Sequence, residues 1–172
     1  QRLADAQSTI RSIVRSSTGT AVDHGPSIDV SGDMKRASSF APYEGVKVVP
    51  LKGAYQLSAR FGQRGRLWSN GWHTGLDFTA PRGSTVVAAA NGQIIAAGWA
   101  GAYGYRIEIQ HSDGFVTTYN HLSKILVTSG MVRAGQVIGR SGSSGHTTGP
   151  HLHFEVLYNG ALVNPSKWLW GR

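Results

Sequence analysis

The sequence predicts a mainly β protein, an antiparallel β-sheet or open barrel-like core behind a helical or irregular N-terminal extension. Three observations carry this. Short apolar or alternating runs recur from residue 46 onward, at 46–49, 55–61, 85–89, 93–98, 105–110, 116–119, 136–139 and 151–158. Glycine and proline punctuate them, with 23 Gly and 6 Pro in 172 residues. Tight-turn dipeptides follow three of the runs: Asn91-Gly92, Asp113-Gly114 and Asn159-Gly160. Asn-Gly or Asp-Gly between alternating runs is the strongest short-range hairpin signal.

Two segments are expected, an extension over 1–45 and a β domain over 46–172. In the extension, Leu3, Ile10, Ile13 and Val14 recur at roughly helical spacing with Arg2, Arg11 and Arg15 between them, which predicts a short amphipathic helix over 1–16. Residues 17–45 lose that pattern to turn chemistry, such as Asp23-His24-Gly25-Pro26 and Ser31-Gly32-Asp33, and read as a linker or pro-segment lying on the domain. Within the domain, 85–98 reads as a hairpin around Asn91-Gly92, and 107–119 as a second around Asp113-Gly114. A short helix or turn is expected across 124–127. Pro165, Trp168 and Trp170 predict a C-terminal clamp on the core.

Composition narrows the partners. Seventeen basic residues against nine acidic give a formal charge of +8, a surface that concentrates polyanions. Nucleic acid and the anionic polymers of a bacterial envelope both fit that charge, and so does plain solubility. The arginines at 64, 66, 82, 106 and 140 are scattered, and no nucleic-acid-binding motif accompanies them, so a nucleic-acid partner is not expected. Cysteine is absent, so disulfides are excluded and any metal must be held by His and carboxylate. No apolar run reaches 18 residues, so no transmembrane segment is expected. No signal peptide is visible; with Gln1 rather than Met at the start, a processed or excised form is expected.

The chemistry concentrates in Gly149-Pro150-His151-Leu152-His153-Phe154-Glu155. Proline fixes its own φ and biases Gly149 toward extended backbone. Polar side chains then occupy odd positions and apolar ones even positions, so His151 and His153 share a strand face. A surface strand with two histidines and a metal or acid–base site both fit this segment taken alone. Trp72-His73-Thr74-Gly75-Leu76-Asp77 adds a His and an Asp four apart, and His121 follows Tyr119 and Asn120. Zinc sites often join ligands close in sequence to one from far away and leave a position for water. His73, Asp77 and His153 would make such a set.

His-x3-Asp, Tyr-x-His-Leu and Gly-Pro-His-Leu-His-Phe-Glu, in that order, resemble the M23 family of zinc endopeptidases, the lysostaphin and LytM type. The flanks agree: Arg60-Phe61-Gly62-Gln63-Arg64 before the first motif and Gly135-Gln136-Val137-Ile138-Gly139 before the last. The match runs from about Leu51 to Trp170, roughly two-thirds of the chain. The resemblance implies an open β core of the duplicated hybrid motif type and a Zn2+ cofactor on His73, Asp77 and His153. It implies His121 and His151 as catalytic histidines, with peptidoglycan stem peptides or cross-bridges as substrate and an extracytoplasmic location. Anionic cell-wall polymers would be additional partners. A hydrolytic zinc needs an open position for water, so the histidines cannot all be ligands. The His-Glu-x-x-His motif is absent, and a histidine must take the place of its glutamate as base.

The alternatives are a non-catalytic M23-like regulator of cell-wall amidases, a class that typically lacks ligands, and a cell-wall-binding module relying on charge. The stretch 86–98 with 130–139 also resembles biotinyl and lipoyl carrier barrels. Those barrels present a lysine at a hairpin tip, and none lies near Asn91-Gly92. Glu155 is expected either to hold a ligand's second nitrogen or to form a cross-strand ion pair. His111 and Tyr119 are expected to be structural, His146 solvated, and Trp72 and Trp99 to line a groove or pack inside. His24, with Asp23 and Asp33, could plug an open metal position, though an ordinary loop histidine is the preferred reading.

Overall fold

The computed structural model describes residues 27–28, 35–37, 39–68 and 71–172. The helix expected over 1–16 and the residues Asp23, His24 and Asp33 lie outside these. The described residues form ten strands: β1 (Gln56–Ala59), β2 (Leu76–Thr79), β3 (Thr85–Val87), β4 (Gly92–Trp99), β5 (Tyr105–Gln110), β6 (Phe115–Ile125), β7 (Gly130–Val132), β8 (Val137–Ser141), β9 (His151–Tyr158) and β10 (Ala161–Val163). Among the described residues there is one α-helix, α1 (Pro165–Trp170), which follows the last strand. The strands follow the path β1-β2-β9-β6-β5-β4-β7, an open sheet, with β10 on β9 and β8 bridging β3 and β6. The ladders between named strands are all antiparallel, as the mainly β reading requires.

Two of the three turn dipeptides make hairpins. Gln110 pairs with Val116 around Asp113-Gly114, and Tyr158 pairs with Ala161 around Asn159-Gly160. Both residues of each dipeptide have positive φ, which Asn, Asp and Gly tolerate. Asn91-Gly92 does not make one, because β3 pairs with β8 while β4 pairs with β5 and β7. Ala88, Ala89 and Ala90 run fully buried between the two strands instead. Asn91 serves as a junction there, its carbonyl accepting from His111 Nδ1 at 2.6 Å and its Oδ1 from Ala134 N at 2.8 Å.

Other expectations shift. The run 46–49 forms no strand, and Val46 is exposed. Of the short helix or turn expected across 124–127, the first two residues are instead the extended end of β6. β2, β7 and β10 are strands of three or four residues, too short for periodicity to reveal.

β6 decides how the site is built. Its first part, Phe115 to Asn120, pairs with β9, and its last part, Leu122 to Ile125, pairs with β8. The change of partner falls at His121, whose φ is +61°. Positive φ is uncommon outside glycine, and His is among the side chains found there more often.

The core lies against this junction. Leu76, Phe78, Ile107, Leu122, Leu152 and Phe154 are fully buried. α1 caps them. Asn164 Oδ1 accepts from Ser166 N at 3.0 Å, Pro165 sits in the first turn, and Gly171 ends the helix in the left-handed region. Trp168 is thereby set against Phe115, Phe154 and Tyr43, the last with ring centroids 5.5 Å apart, so half of the expected clamp forms; Trp170 is 40% exposed. Tyr43 belongs to the segment before residue 46 yet packs in the core. Tyr43→Ala should lower stability by about 3 kcal/mol, the usual cost of deleting a buried aromatic, seen as a lower midpoint in denaturant. An unchanged midpoint would show that residues before 46 add nothing to the core.

Candidate metal and catalytic site

Asp77 stands opposite His153 in the β2–β9 register, and His153 stands opposite Asn120 in β6. His151, two residues earlier, faces Thr79. The alternation read from the sequence holds: Leu152, Phe154 and Val156 turn into the core, and His151, His153 and Glu155 turn the other way. Gly75 permits the approach. A Cβ there would strike the Phe154 carbonyl and come within 2.9 Å of His153 Cε1 and 3.0 Å of Glu155 Cγ. A side chain at position 75 would therefore crowd both the β9 backbone and the His153 ring.

His73, Asp77 and His153 each offer one ligand atom, and these atoms lie within 4.8 Å of one another. His73 Nδ1 donates to the Arg60 carbonyl at 3.0 Å, which places the ring's proton there. In the neutral ring that leaves Nε2 as a bare lone pair. That atom is buried and makes no hydrogen bond, although Asp77 Oδ1 lies 3.1 Å away. Two acceptors facing each other in a buried site repel unless something positive lies between them. Two imidazoles and a carboxylate suit zinc. The residues therefore fit such an ion on the geometry of this site.

His121 and His151 stand beside the three. Their ring centroids are 4.8 Å apart. His121 Nδ1 donates to Ser144 O at 2.7 Å and His151 Nδ1 to Gly149 O at 2.8 Å. Each ring thus carries its proton on the nitrogen bound to backbone and offers Nε2 for chemistry. His151 Nε2 is 3.7 Å from Asp77 Oδ2. Burial, together with His153 and His151, holds the His121 imidazole down to about 3, so it is neutral at pH 7.

A cavity of about 620 Å3 opens over these residues. Leu67, Trp68 and Trp72 form part of its lining on one segment, and His146, Thr147 and Thr148 on another. Trp72 is a groove residue, whereas Trp99 packs on Tyr105. His146 is exposed and lines the cavity. His111 is buried between Asn91 O and Thr117 Oγ1, and Tyr119 is buried with its hydroxyl accepting from Ala89 N, both structural.

The profile of peptidase family M23 matches residues 71–165, more than half of the chain. The chain belongs to family M23. The DD-carboxypeptidase/endopeptidase Mpg of Neisseria meningitidis serogroup B is 43% identical over 129 residues, covering 69% of this chain and 30% of that one. The peptidoglycan DD-endopeptidase ShyA of Vibrio cholerae is 43% identical over 99 residues, covering 55% and 22%. A crystal structure of a zinc-containing peptidase from Vibrio cholerae superposes with a TM-score of 0.65 at 33% identity, covering 70% of this chain and 39% of that one. The chain spans less than a third of the length of these curated relatives.

Behind the M23 motif residues lies a polar layer in which Glu155 holds the second nitrogen of His153, as expected, while Arg106, Glu108 and Thr74 were not foreseen. His153 Nε2 donates to Glu155 Oε2 at 2.9 Å and lies 3.1 Å from Thr74 Oγ1. Arg106, 1% exposed, reaches Glu155, Glu108 and Asn120. The signal was there: Arg106 and Glu108 are opposite charges two apart in an apolar run, hence on one strand face. Ser144 also escaped notice. Its Oγ donates to Leu122 O at 2.6 Å and accepts from Tyr105 N at 3.1 Å, which fixes the carbonyl that holds His121.

Set between Asp77 at 2.8 Å and Glu155 at 2.9 Å, the protonated His153 ring donates from both nitrogens. Burial alone would lower its pKa, but the two carboxylates outweigh burial and raise it from 6.5 to about 9. Asp77 and Glu155 are correspondingly held well below the usual carboxylate range despite burial. A raised imidazole pKa stabilises the fold fully below the unfolded value and loses that contribution as pH rises through the folded one. Chelator-treated protein should therefore melt at progressively lower temperature between about pH 6.5 and 9. A flat profile of melting temperature over that range would contradict the assigned imidazolium.

Proposed function

We propose that this chain is a zinc-dependent endopeptidase hydrolysing peptide bonds in peptidoglycan stem peptides or cross-bridges, acting outside the cytoplasm. Residues 46–172 would be the peptidase domain and 1–45 an N-terminal extension, linker or pro-segment. The observation that carries the reading is the buried, unpartnered His73 Nε2 facing Asp77 Oδ1. His73 through Nε2, Asp77 through Oδ1 and His153 through Nδ1 would hold the metal. Zinc bound there supplies an acidified water with a pKa of ≈ 7 and polarises the scissile carbonyl.

The chain's own residues supply the rest. His121 and His151 both offer Nε2 beside the ligand cluster. Between them they can divide acceptance of the water's proton and stabilisation of the tetrahedral oxyanion. The backbone carbonyls of Ser144 and Gly149 keep those rings in orientation. Trp68, Trp72 and Leu67 give the substrate an apolar wall, and Thr147 and Thr148 a polar one. The name of ShyA, a peptidoglycan DD-endopeptidase, supports peptidoglycan as substrate, that of Mpg supports an endopeptidase, and the zinc-containing neighbour supports the metal. Among the described residues no helix is long and apolar enough to cross a membrane.

Purified peptidoglycans of different cross-link types, incubated with the protein and analysed by mass spectrometry, should release peptide fragments that a chelator abolishes. Zinc-loaded protein that releases none would favour the amidase-regulator reading. Alanine at His73, Asp77 or His153 should remove most bound zinc by elemental analysis; full occupancy in His153→Ala would overturn the ligand set. Alanine at His121 or His151 should leave zinc and folding intact while turnover falls roughly 10²–10⁴-fold. Near-normal turnover in His151→Ala would remove it from the chemistry.

A further inference from the structure

We propose that Arg106 and Glu155 act as a positioning pair for His153, setting from behind the direction in which that ring offers Nδ1. This rests on the zinc-ligand reading above. His153 differs from the other site histidines in its anchor. His73, His121 and His151 bind a backbone carbonyl through Nδ1 and offer Nε2. His153 is held through Nε2 and offers Nδ1. A backbone carbonyl is placed by the main chain, but the Glu155 carboxylate sits on a side chain with three torsions and must itself be placed.

Arg106 and its neighbours do that. Glu155 Oε1 accepts from Arg106 Nη1 at 3.2 Å and from Thr118 Oγ1 at 3.1 Å. Oε2 is left for Thr74 Oγ1 at 2.6 Å and His153 Nε2 at 2.9 Å. Arg106 is fixed in turn, with Nε on Glu108 Oε2 at 3.0 Å, Nη1 on Asn120 Oδ1 at 2.9 Å, and its guanidinium carbon 4.5 Å from the Tyr103 ring centre. Asn120 Nδ2 donates to the His153 carbonyl at 2.9 Å, so the same group holds the ligand's backbone. Tyr103 stacks on the His153 ring, with centroids 5.8 Å apart and 27° between planes.

Charge makes the pair more than packing. Asp77, Glu108 and Glu155 are buried carboxylates, and Arg106 is the buried guanidinium among them. Without Arg106, Glu155 would face a second buried carboxylate with no fixed cation between them, a costly arrangement. With it, the layer carries two net negative charges toward a divalent ion. Lysine keeps the charge but not the fork that reaches Glu108, Asn120 and Glu155 together.

The test measures zinc affinity by chelator competition and the visible absorption of cobalt-substituted protein, beside circular dichroism of each metal-free variant. Arg106→Lys and Glu155→Gln should keep the β spectrum, weaken zinc by about 10–100-fold and alter the cobalt bands. Because Arg106 acts on the ring through Glu155, the double variant should lose less zinc affinity than the product of the two single losses. Multiplying losses, or wild-type affinity and cobalt bands in folded single variants, would overturn the pair. Should the charge variants fail to fold, Thr74→Val removes one donor from Glu155 Oε2 at the cavity edge. It should weaken zinc several-fold, and unchanged affinity there would count against the pair. Wild-type protein that takes up no zinc would sink the ligand reading and this inference together, whereas zinc-binding wild type with unaffected variants sinks the inference alone.

Discussion

The site depends on one register. Because Asp77, His153 and Asn120 stand in line across β2, β9 and β6, the carboxylate meets one edge of the ring while the amide holds the backbone of the same residue. A slip by one residue in either ladder would turn every side chain of β9 to the opposite face, sending the histidines into the core and Leu152 and Phe154 into the cavity. The burial of Leu152 and the packing of Phe154 against Phe78 and Tyr119 therefore hold the register on which the site is built. Stability and function share a ladder here.

A second economy lies in how the rings are oriented. Three of the site's histidines are locked by carbonyls at bends of loops: Arg60, Ser144 and Gly149. Such anchors fix tautomer and ring plane together, which a metal ligand or a proton acceptor requires. The loops are themselves pinned. Gly104 and Gly145 approach so closely that a Cβ on either would meet the other's segment.

Much of this was legible in the sequence. Alternation in 151–158 set the two faces of β9, and spacing singled out His73, Asp77 and His153, which the structure brings together. His121 needed the family resemblance, since nothing in the local pattern of β6 marks a strand that changes partner. The hairpin expected at Asn91-Gly92 failed because dipeptide chemistry is local, whereas three consecutive alanines can be threaded through a core that only the whole fold defines. Arg106 was passed over as one scattered cation among several; its burial follows from tertiary pairing, although its spacing from Glu108 hinted at it. The short strands β2, β7 and β10 exist because longer neighbours template them.

The left-handed backbone at His121 has a consequence for how this protein can evolve. A non-glycine residue held in such a conformation costs on the order of 1–3 kcal/mol, and the bend where β6 passes from β9 to β8 demands it whatever side chain is present. Glycine or asparagine would relax that position. Selection for heat resistance alone would therefore favour discarding the imidazole, whereas the role proposed for His121 would retain it, so the two demands would pull in opposite directions at a single residue.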